Sequence, residues 1–317
     1  MTVTPAPPAE TVGGYRHEAF LYSGLPEFLS GTLTFIRRAV SAGDPVLVVV
    51  SAAKIGLLRQ QLGAEAAHVT FADMADVGAN PARIIALWQT FVQANTGAAQ
   101  LCGIGEPIGP ARSPAELAEC QLHEALLNVA FDDTPLWLLC PYDLEALAAA
   151  VIDEAQRAHP FVAHGDQRRP SSAFEPIDAG APFDRPLPPP AAGAASMPFG
   201  SGDLRRLRAF VAGHAERAGL VKESATGVVL AVSELASNSI MHGGGRGELR
   251  VWTEGRSLVC EVSDEGHITS PLVGRVRPAL GATGGAGLWL ANQLCDLVQI
   301  SSSARGTTIR VHQAAGR

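Results

Sequence analysis

Three polar side chains recur at a spacing of four residues in the second half of the chain: Glu234, Asn238 and His242. In a helix this spacing places them on one face, one turn apart. A carboxylate can take a proton from a hydroxyl group or water, and a neighbouring amide oxygen can hold Mg²⁺. The triplet alone is equally compatible with a solvated helix face, so it indicates phosphoryl transfer only together with further residues.

Two further segments supply such residues. Asp264-Glu265-Gly266 ends an apolar stretch; its aspartate can accept a hydrogen bond from the amino group of a ligand, although Asp-x-Gly is also an ordinary turn. The glycine-rich segment 281–288 opens onto a predicted helix, where unobstructed backbone N–H groups suit phosphate. The segment has neither the Lys-Ser/Thr ending of a Walker A loop nor the surroundings of a Rossmann motif.

The elements around these residues predict an α+β two-layer sandwich. Two helices and a hairpin precede the glycine-rich loop, and a helix and a second hairpin follow it. The predicted helices are Leu204–Ala218, Ser224–His242 and Leu288–Asp296; the predicted strands are Glu248–Thr253, Ser257–Ser263, Leu297–Ser302 and Thr307–His312.

The first half of the chain alternates short apolar runs with longer amphipathic ones, which predicts a mostly parallel sheet flanked by helices. The predicted strands are Ala19–Tyr22, Pro45–Val50, His68–Phe71, Gln100–Ile104 and Leu136–Cys140; the predicted helices are Pro26–Ala42, Ala52–Leu62, Pro81–Asn95, Pro114–Ala130 and Leu144–Ala158. The continuous β-branched run 46–50 is typical of a strand buried on both faces.

Several polar residues of this half stand at unusual places and are candidates for a sensory site. They are His17, Glu106, His123, Glu124, Tyr142 and Asp143. Because open α/β sheets bind ligands at the carboxyl ends of their strands, Glu106, Tyr142 and Asp143 are expected to converge there. Each residue alone is also compatible with a satisfied core group, and Asp143 with a helix cap.

Composition limits the domain count and the class of protein. The chain has 317 residues, enough for two domains, and a net charge of −7 with 17% charged residues, which argues against a nucleic-acid partner. Without a long apolar run or a signal sequence, we expect a cytoplasmic protein with no membrane contact. Nine of the 22 prolines fall between Pro160 and Pro198, which predicts an extended linker at 161–202.

The five cysteines (Cys102, Cys120, Cys140, Cys260 and Cys295) are expected to be buried, reduced thiols. They form no C-x-x-C pair and no Cys/His spacing typical of zinc.

The second half resembles the GHKL (Bergerat) ATP-binding domain, and most closely the anti-sigma factor serine kinases similar to RsbW and SpoIIAB. Residues 230–242 (LAVSELASNSIMH) resemble the N box of that family, 284–288 (GGAGL) its lid and 306–308 (GTT) its closing strand. The resemblance extends over 203–315. His267-Ile268 stands where the family usually has a further glycine, so the edge of the pocket is expected to differ.

This resemblance implies ATP and Mg²⁺ as cofactors and assigns roles by position. Asn238 would coordinate Mg²⁺, Glu234 would be the general base, and Asp264 would bind the adenine amino group with support from Thr307. The remaining residues implied at the nucleotide are Gly266, Gly284, Gly285, Gly287 and Leu288. His242 would act either at the phosphate side or as a structural helix end.

The first half, over 15–160, resembles the MEDS sensory domain named from regulators such as DcmR. The resembling stretches are 17–22, 104–108, 123–128 and 139–143. The resemblance implies a RecA-like layered fold without a working phosphate loop, and a small organic molecule as ligand.

Together the two resemblances imply a signalling regulator: a sensory domain controlling an ATP-dependent serine/threonine protein kinase. The implied partners are a STAS-type anti-sigma antagonist, a sigma factor, or both, and a homodimer stays open. One alternative is a switch that binds ATP and sequesters a partner without phosphorylating it. The other is an atypical sensor histidine kinase, disfavoured because a proline-rich stretch occupies the place of the phosphoacceptor helices.

Overall fold

The computed structural model describes residues 14–165, 167–279 and 285–316. The chain divides into two compact units. The first contains the described residues up to Gly78 together with Leu87–Ile177, and the second contains Ala79–Ala86 together with the described residues from Asp178 onward. Among the described residues, no helix has the length and apolar character required to cross a membrane.

The first unit is a seven-stranded sheet flanked by helices, with the strand order β3-β2-β4-β5-β1-β6-β7. Its strands are β1 (Arg16–Tyr22), β2 (Val46–Val50), β3 (Val69–Asp73), β4 (Leu101–Gly105), β5 (Leu136–Asp143), β6 (Phe161–His164) and β7 (Gln167–Pro170). The helices of this part of the chain are α1 (Gly24–Ala42), α2 (Ala52–Leu62), α3 (Met74–Val77), α4 (Ile84–Ala94), α5 (Pro114–Ala130) and α6 (Ala149–Ala158). All neighbouring strands pair in parallel except β6 and β7, which confirms the predicted mostly parallel sheet.

Local sequence explains how these elements form. Every residue of β2 is buried, as its apolar run predicts for a central strand covered on both faces. Helix α5 begins with a capping box, in which the Ser113 side chain accepts from the Glu116 N–H while the Glu116 carboxylate accepts from the Ser113 N–H. Pro114 occupies the first turn, where its missing N–H costs nothing.

The second unit packs helices against a five-stranded antiparallel sheet with the order β11-β12-β10-β9-β8. Its strands are β8 (Ala195–Gly200), β9 (Arg246–Glu254), β10 (Ser257–Asp264), β11 (Leu297–Ser303) and β12 (Gly306–Ala314). Its helices include α7 (Leu204–Arg217), α8 (Lys222–His242) and α9 (Ala286–Leu294). Helix α8 packs against β9, β10 and β12, which confirms the predicted α+β two-layer sandwich.

The stretch 161–202, predicted as an extended linker from its proline content, contains three strands among its described residues. Strands β6 and β7 extend the first sheet, and β8 forms an edge of the second. Pro170 lies in β7 and Pro198 in β8, and both are edge strands, which tolerate a residue without an N–H group. Between them Phe183 is buried and its carbonyl accepts a hydrogen bond from the Ser302 N–H.

The predicted helix 144–158 begins later than its sequence suggests, at Ala149. The Leu144 N–H donates to the Tyr22 carbonyl, and the Asp143 carboxylate accepts from the Glu145 N–H. Asp143 therefore closes a turn at the end of β5 and does not cap the helix.

The segment Ala79–Ala86 belongs to the second unit although both flanks belong to the first. The Asn80 amide donates to the backbone carbonyls of Asn292 and Cys295, at 3.2 and 3.3 Å, and to the Asn292 side-chain oxygen. The Arg83 guanidinium donates to the same two carbonyls, at 2.6 and 2.9 Å. These donors satisfy carbonyl groups that the end of α9 leaves without a helical partner.

Replacing Asn80 with alanine is expected to destabilise α9 by about 0.5–1.5 kcal/mol, because the Asn292 and Cys295 carbonyls each lose one of two donors. Hydrogen–deuterium exchange of the peptide 286–295 measures this change, and we expect faster exchange in Asn80→Ala. Asn95→Ala is the matched control, since the Asn95 amide donates only to the Phe91 carbonyl of α4. Equal protection of α9 in both variants would contradict the assignment.

Candidate functional site

Helix α8 presents Glu234 and Asn238 one turn apart, as their spacing predicts. Both side chains are half-buried, because the opposite face of the helix packs Val228, Val232 and Leu235 into the core. Within the described part of the chain, neither side chain has a hydrogen-bond partner. A carboxylate and an amide are thus held at the edge of the core with their polar atoms available to a ligand.

Gly287, in the first turn of α9, lies directly against this pair. A Cβ atom at position 287 would stand 2.9 Å from Asn238 Nδ2 and 3.3 Å from Glu234 Cβ, so a side chain would displace the Asn238 amide and crowd Glu234. Gly285 precedes α9 with φ +83°, and Leu288 is buried beneath it. Gly284, also predicted at the phosphates, lies outside the described residues. The structure therefore brings Glu234, Asn238 and Gly287 together.

Asp264 ends β10, and the protein fixes the orientation of its carboxylate. Its Oδ2 accepts a hydrogen bond from the Ser239 hydroxyl at 2.6 Å, and its Oδ1 accepts from the Gly266 N–H at 2.7 Å. Because a carboxylate can accept about four hydrogen bonds, capacity is left for a ligand. The aspartate is held as a preoriented acceptor beside Ser239, the residue that follows Asn238 on α8.

Thr307 faces Asp264 across the β10–β12 pairing, and its hydroxyl is used to support the adjoining turn. It donates to the Gly266 carbonyl at 2.9 Å and lies 2.7 Å from the Ser302 hydroxyl. The Ile268 N–H donates to the same Ser302 oxygen. The segment that departs from the family pattern, His267-Ile268, is thereby tied to β11 and not left as an open edge.

His242 is the last residue of α8 and its side chain is exposed. Its carbonyl lies beside Gly266, where a Cβ atom would approach it to 3.1 Å. The position agrees with either predicted role for His242, which stays a prediction.

The residues present fit a nucleotide with a divalent cation. Glu234 and Asn238 offer free oxygen atoms of the kind that Mg²⁺ prefers. Asp264 offers an oriented acceptor, and the backbone at 287 has no side chain to exclude phosphate.

The candidate sensory residues of the first unit form two separate groups. One lies at the carboxyl ends of β1 and β4, where the Tyr22 hydroxyl and the Lys54 ammonium both donate to Glu106 Oε1, at 2.8 and 2.6 Å. Burial raises the pKa of Glu106, and Lys54 opposes this effect. Asp143 lies at the same edge, with its Oδ1 3.5 Å from the Gly24 N–H.

The other group, here called the buried cluster, consists of His17, Glu124, Cys140 and His159. Glu124 Oε2 lies 3.1 Å from His17 Nε2 and 3.3 Å from His159 Nε2, and Cys140 Sγ lies 3.3 Å from His17 Nε2. Burial, with His159 nearby, lowers the pKa of His17 to about 4, so its imidazole is neutral near pH 7. Burial likewise raises the pKa of the Cys140 thiol.

Glu106, Tyr142 and Asp143 are expected from the sequence to converge at the carboxyl ends of the strands. For Tyr142 this expectation is wrong. Successive residues of a strand point to opposite faces, and the Tyr142 ring packs edge-on against His159, with centroids 5.5 Å apart. His123, next to Glu124 on α5, is buried as well. Tyr142 thus borders the buried cluster, whereas Asp143 lies at the edge with Glu106.

Sequence reasoning missed Cys140 and His159. Their positions in the chain carry no local spacing, but the pairing of Ala19 with Cys140 places Cys140 on the same face of the sheet as His17. His159 directly follows α6, where its imidazole meets the cluster. The sequence shows no Cys/His spacing typical of zinc, and spacing along the chain does not reveal that Cys140 Sγ lies 3.3 Å from His17 Nε2.

Fold and site together define a histidine kinase-like ATPase domain joined to a sensory domain. Residues 197–312 match the family model described as histidine kinase-like ATPase domain. Residues 16–160 match the model described as MEDS: methanogen/methylotroph, DcmR sensory domain. The chain thus carries a MEDS domain followed by a histidine kinase-like ATPase domain, which confirms both resemblances at this level.

Two solved structures are among those similar to part of the chain. The RsbU and RsbW domains of Rv1364c from Mycobacterium tuberculosis match with 16% identity and a TM-score of 0.26, over 38% of this chain and 33% of that one. The histidine kinase AdeS of Acinetobacter baumannii matches with 11% identity and a TM-score of 0.24, over 39% and 68%. The chain spans about a third of the first of these structures. No curated protein matches the sequence.

Replacing Gly287 with alanine is expected to weaken ATP binding about tenfold, because the new Cβ atom displaces the Asn238 amide and crowds Glu234. Titration with a fluorescent ATP analogue measures this effect. Gly213→Ala is the matched control: it lies in α7, where the new Cβ would meet only the Arg217 guanidinium at 3.4 Å. Undiminished binding by Gly287→Ala would place the nucleotide elsewhere.

Proposed function

We propose that this protein is a signalling regulator in which the MEDS domain controls an ATP-dependent serine/threonine kinase of the anti-sigma factor type. The substrate is a STAS-type antagonist, phosphorylated on serine or threonine, and a sigma factor is the second partner. One observation carries the proposal: Glu234 and Asn238 lie one turn apart without partners among the described residues, directly against Gly287.

The chemistry follows from the types and positions of these side chains. ATP with Mg²⁺ supplies the phosphoryl group and neutralises its charge. Asn238 offers an amide oxygen to the metal ion, and Asp264 offers an oriented acceptor to the adenine amino group. Glu234 takes the proton of the attacking hydroxyl group, the role for which a carboxylate without an internal ion pair is suited.

Serine or threonine is favoured over histidine as the phosphoacceptor by the segment that precedes α7. The described residues between 161 and 203 form strands and loops and contain no helix. A sensor histidine kinase carries its phosphoacceptor on a dimerising pair of helices ahead of the ATPase domain. The strands β6, β7 and β8 occupy that part of the chain.

The proposal is tested by incubating the protein with labelled ATP, Mg²⁺ and its candidate STAS partner. We expect acid-stable label on the partner. Glu234→Gln is expected to keep nucleotide binding and to lower transfer by about 10²–10⁴-fold, since it removes the base and preserves shape. Glu223→Gln is the matched control, an exposed carboxylate on the same helix that leaves transfer unchanged.

Two other results would favour a different function. ATP binding without label on any protein would reject the kinase and favour a switch that sequesters its partner. Acid-labile label on this chain would favour a histidine kinase.

A further inference from the structure

The buried cluster brings together four side chains of types that bind transition metals. The exposed fraction is 0% for His17 and His159 and 1% for Glu124 and Cys140. One ligating atom from each residue lies within 4.8 Å of the others. Three of the six separations are 3.1–3.3 Å. In a tetrahedral site with metal–ligand bonds of about 2.0–2.3 Å, the ligand atoms stand about 3.3–3.7 Å apart, so these distances are close to those of a metal site.

Hydrogen bonds around the cluster turn both histidine Nε2 atoms into acceptors. His159 Nδ1 lies 2.7 Å from the Ala155 carbonyl, which can only accept, so Nδ1 carries the proton. The Asn128 amide donates to the carbonyls of Ala158 and Ala125, so its oxygen faces His17 Nδ1 at 3.1 Å and accepts from it. In the neutral rings, each Nε2 therefore points a lone pair into the cluster.

Around these lone pairs, hydrogen-bond acceptors outnumber donors. Both Nε2 atoms face Glu124 Oε2, and the Cys140 thiol is the single proton source among the four groups. His159 Nε2 and Glu124 Oε1 are buried without a hydrogen-bond partner. Buried acceptors that outnumber the donors around them are costly, and a cation at their centre removes the cost.

We propose that the MEDS domain holds a divalent transition-metal ion, with zinc the best fit, through His17, Glu124, Cys140 and His159. Two imidazoles, a thiolate and a carboxylate are ligands that Zn²⁺ accepts in tetrahedral geometry. Binding converts the Cys140 thiol to a thiolate, and its proton leaves to solvent. Because the protein provides all four ligands, the site is closed and its ion structural.

The fold explains the choice of these residues. His17 comes from β1, Cys140 from β5, Glu124 from α5, and His159 from the chain after α6. One ion would join two strands and the helical layer over them. The Asn128 and Ala155 oxygens fix the tautomers from outside, the arrangement by which metal-binding histidines are commonly oriented. This site is distinct from the magnesium site proposed at Asn238.

The full-length protein, purified without chelators, is expected to contain about one equivalent of zinc per chain by elemental analysis. After exchange with Co²⁺, the absorption spectrum is expected to show a thiolate-to-cobalt charge-transfer band together with the visible bands of a tetrahedral ion. These measurements use the wild-type protein, so their outcome does not depend on the folding of a variant.

Variants assign the ligands. Cys140→Ser is expected to lose the charge-transfer band and at least about fivefold of the zinc content, since a serine hydroxyl is a poor metal ligand. Cys120→Ser is the matched control, because Cys120 is an equally buried thiol of α5 whose bond to the Pro107 carbonyl a hydroxyl group can also form. Asn128→Ala, which removes the acceptor for His17 Nδ1 but none of the four ligands, is expected to weaken zinc affinity by about 10–100-fold.

Three results would overturn the proposal. The first is folded wild-type protein without metal that also gains none when refolded with Zn²⁺, Fe²⁺ or Co²⁺; the cluster would then be a proton-sharing network. The second is a Co²⁺ spectrum without a thiolate band. The third is zinc content that Cys140→Ser leaves unchanged, which would show adventitious binding.

Discussion

The candidate nucleotide site depends on one close contact, between the end of α8 and the end of β10. The Ser239 hydroxyl, on the helix, donates to Asp264, on the strand, and the Gly266 N–H holds the other oxygen. Gly243, directly after α8, lies so near Asp264 that any Cβ atom would collide with its carboxyl group. A glycine at 243 thus lets the helical layer meet the sheet at the point where the acceptor for the ligand is oriented.

The first unit depends instead on buried charge that is fully paired. Glu18 is completely buried in β1, and its carboxylate accepts from the Trp137 indole N–H and from the Arg168 guanidinium. Because Arg168 lies in β7, this buried carboxylate draws part of the proline-rich stretch into the sheet. Leaving Glu18 unpaired would cost about 3–5 kcal/mol, a large part of the roughly 5–15 kcal/mol by which a typical domain is stable.

Helices and strands with a clear local pattern are predicted from the sequence. Features that depend on contacts between distant residues are not. The helix over 224–242 and the order of Glu234 and Asn238 on it follow from the 3.6-residue period, and the strands around 46–50 follow from their apolar runs. Strands β6, β7 and β8 are hidden because edge positions accept proline and polar residues, so their sequences lack a strand pattern. Cys140 and His159 are missed because each is more than a hundred residues from His17 in the chain. The sheet register brings Cys140 to His17, and the end of α6 brings His159 there.

The two polar centres of the first unit differ in what can reach them. The buried cluster is closed to solvent, so a ligand there must be as small as an ion and must enter when the domain folds or opens. At the carboxyl edge of the sheet, the Lys54 side chain is 22% exposed and that of Glu106 10%. A molecule arriving from solvent therefore meets the Lys54–Glu106 pair first, and it must compete with an internal ion pair to bind there. Binding of a ligand at the edge would therefore break or alter the Lys54–Glu106 ion pair. The buried cluster, in contrast, is suited to retaining a bound ion.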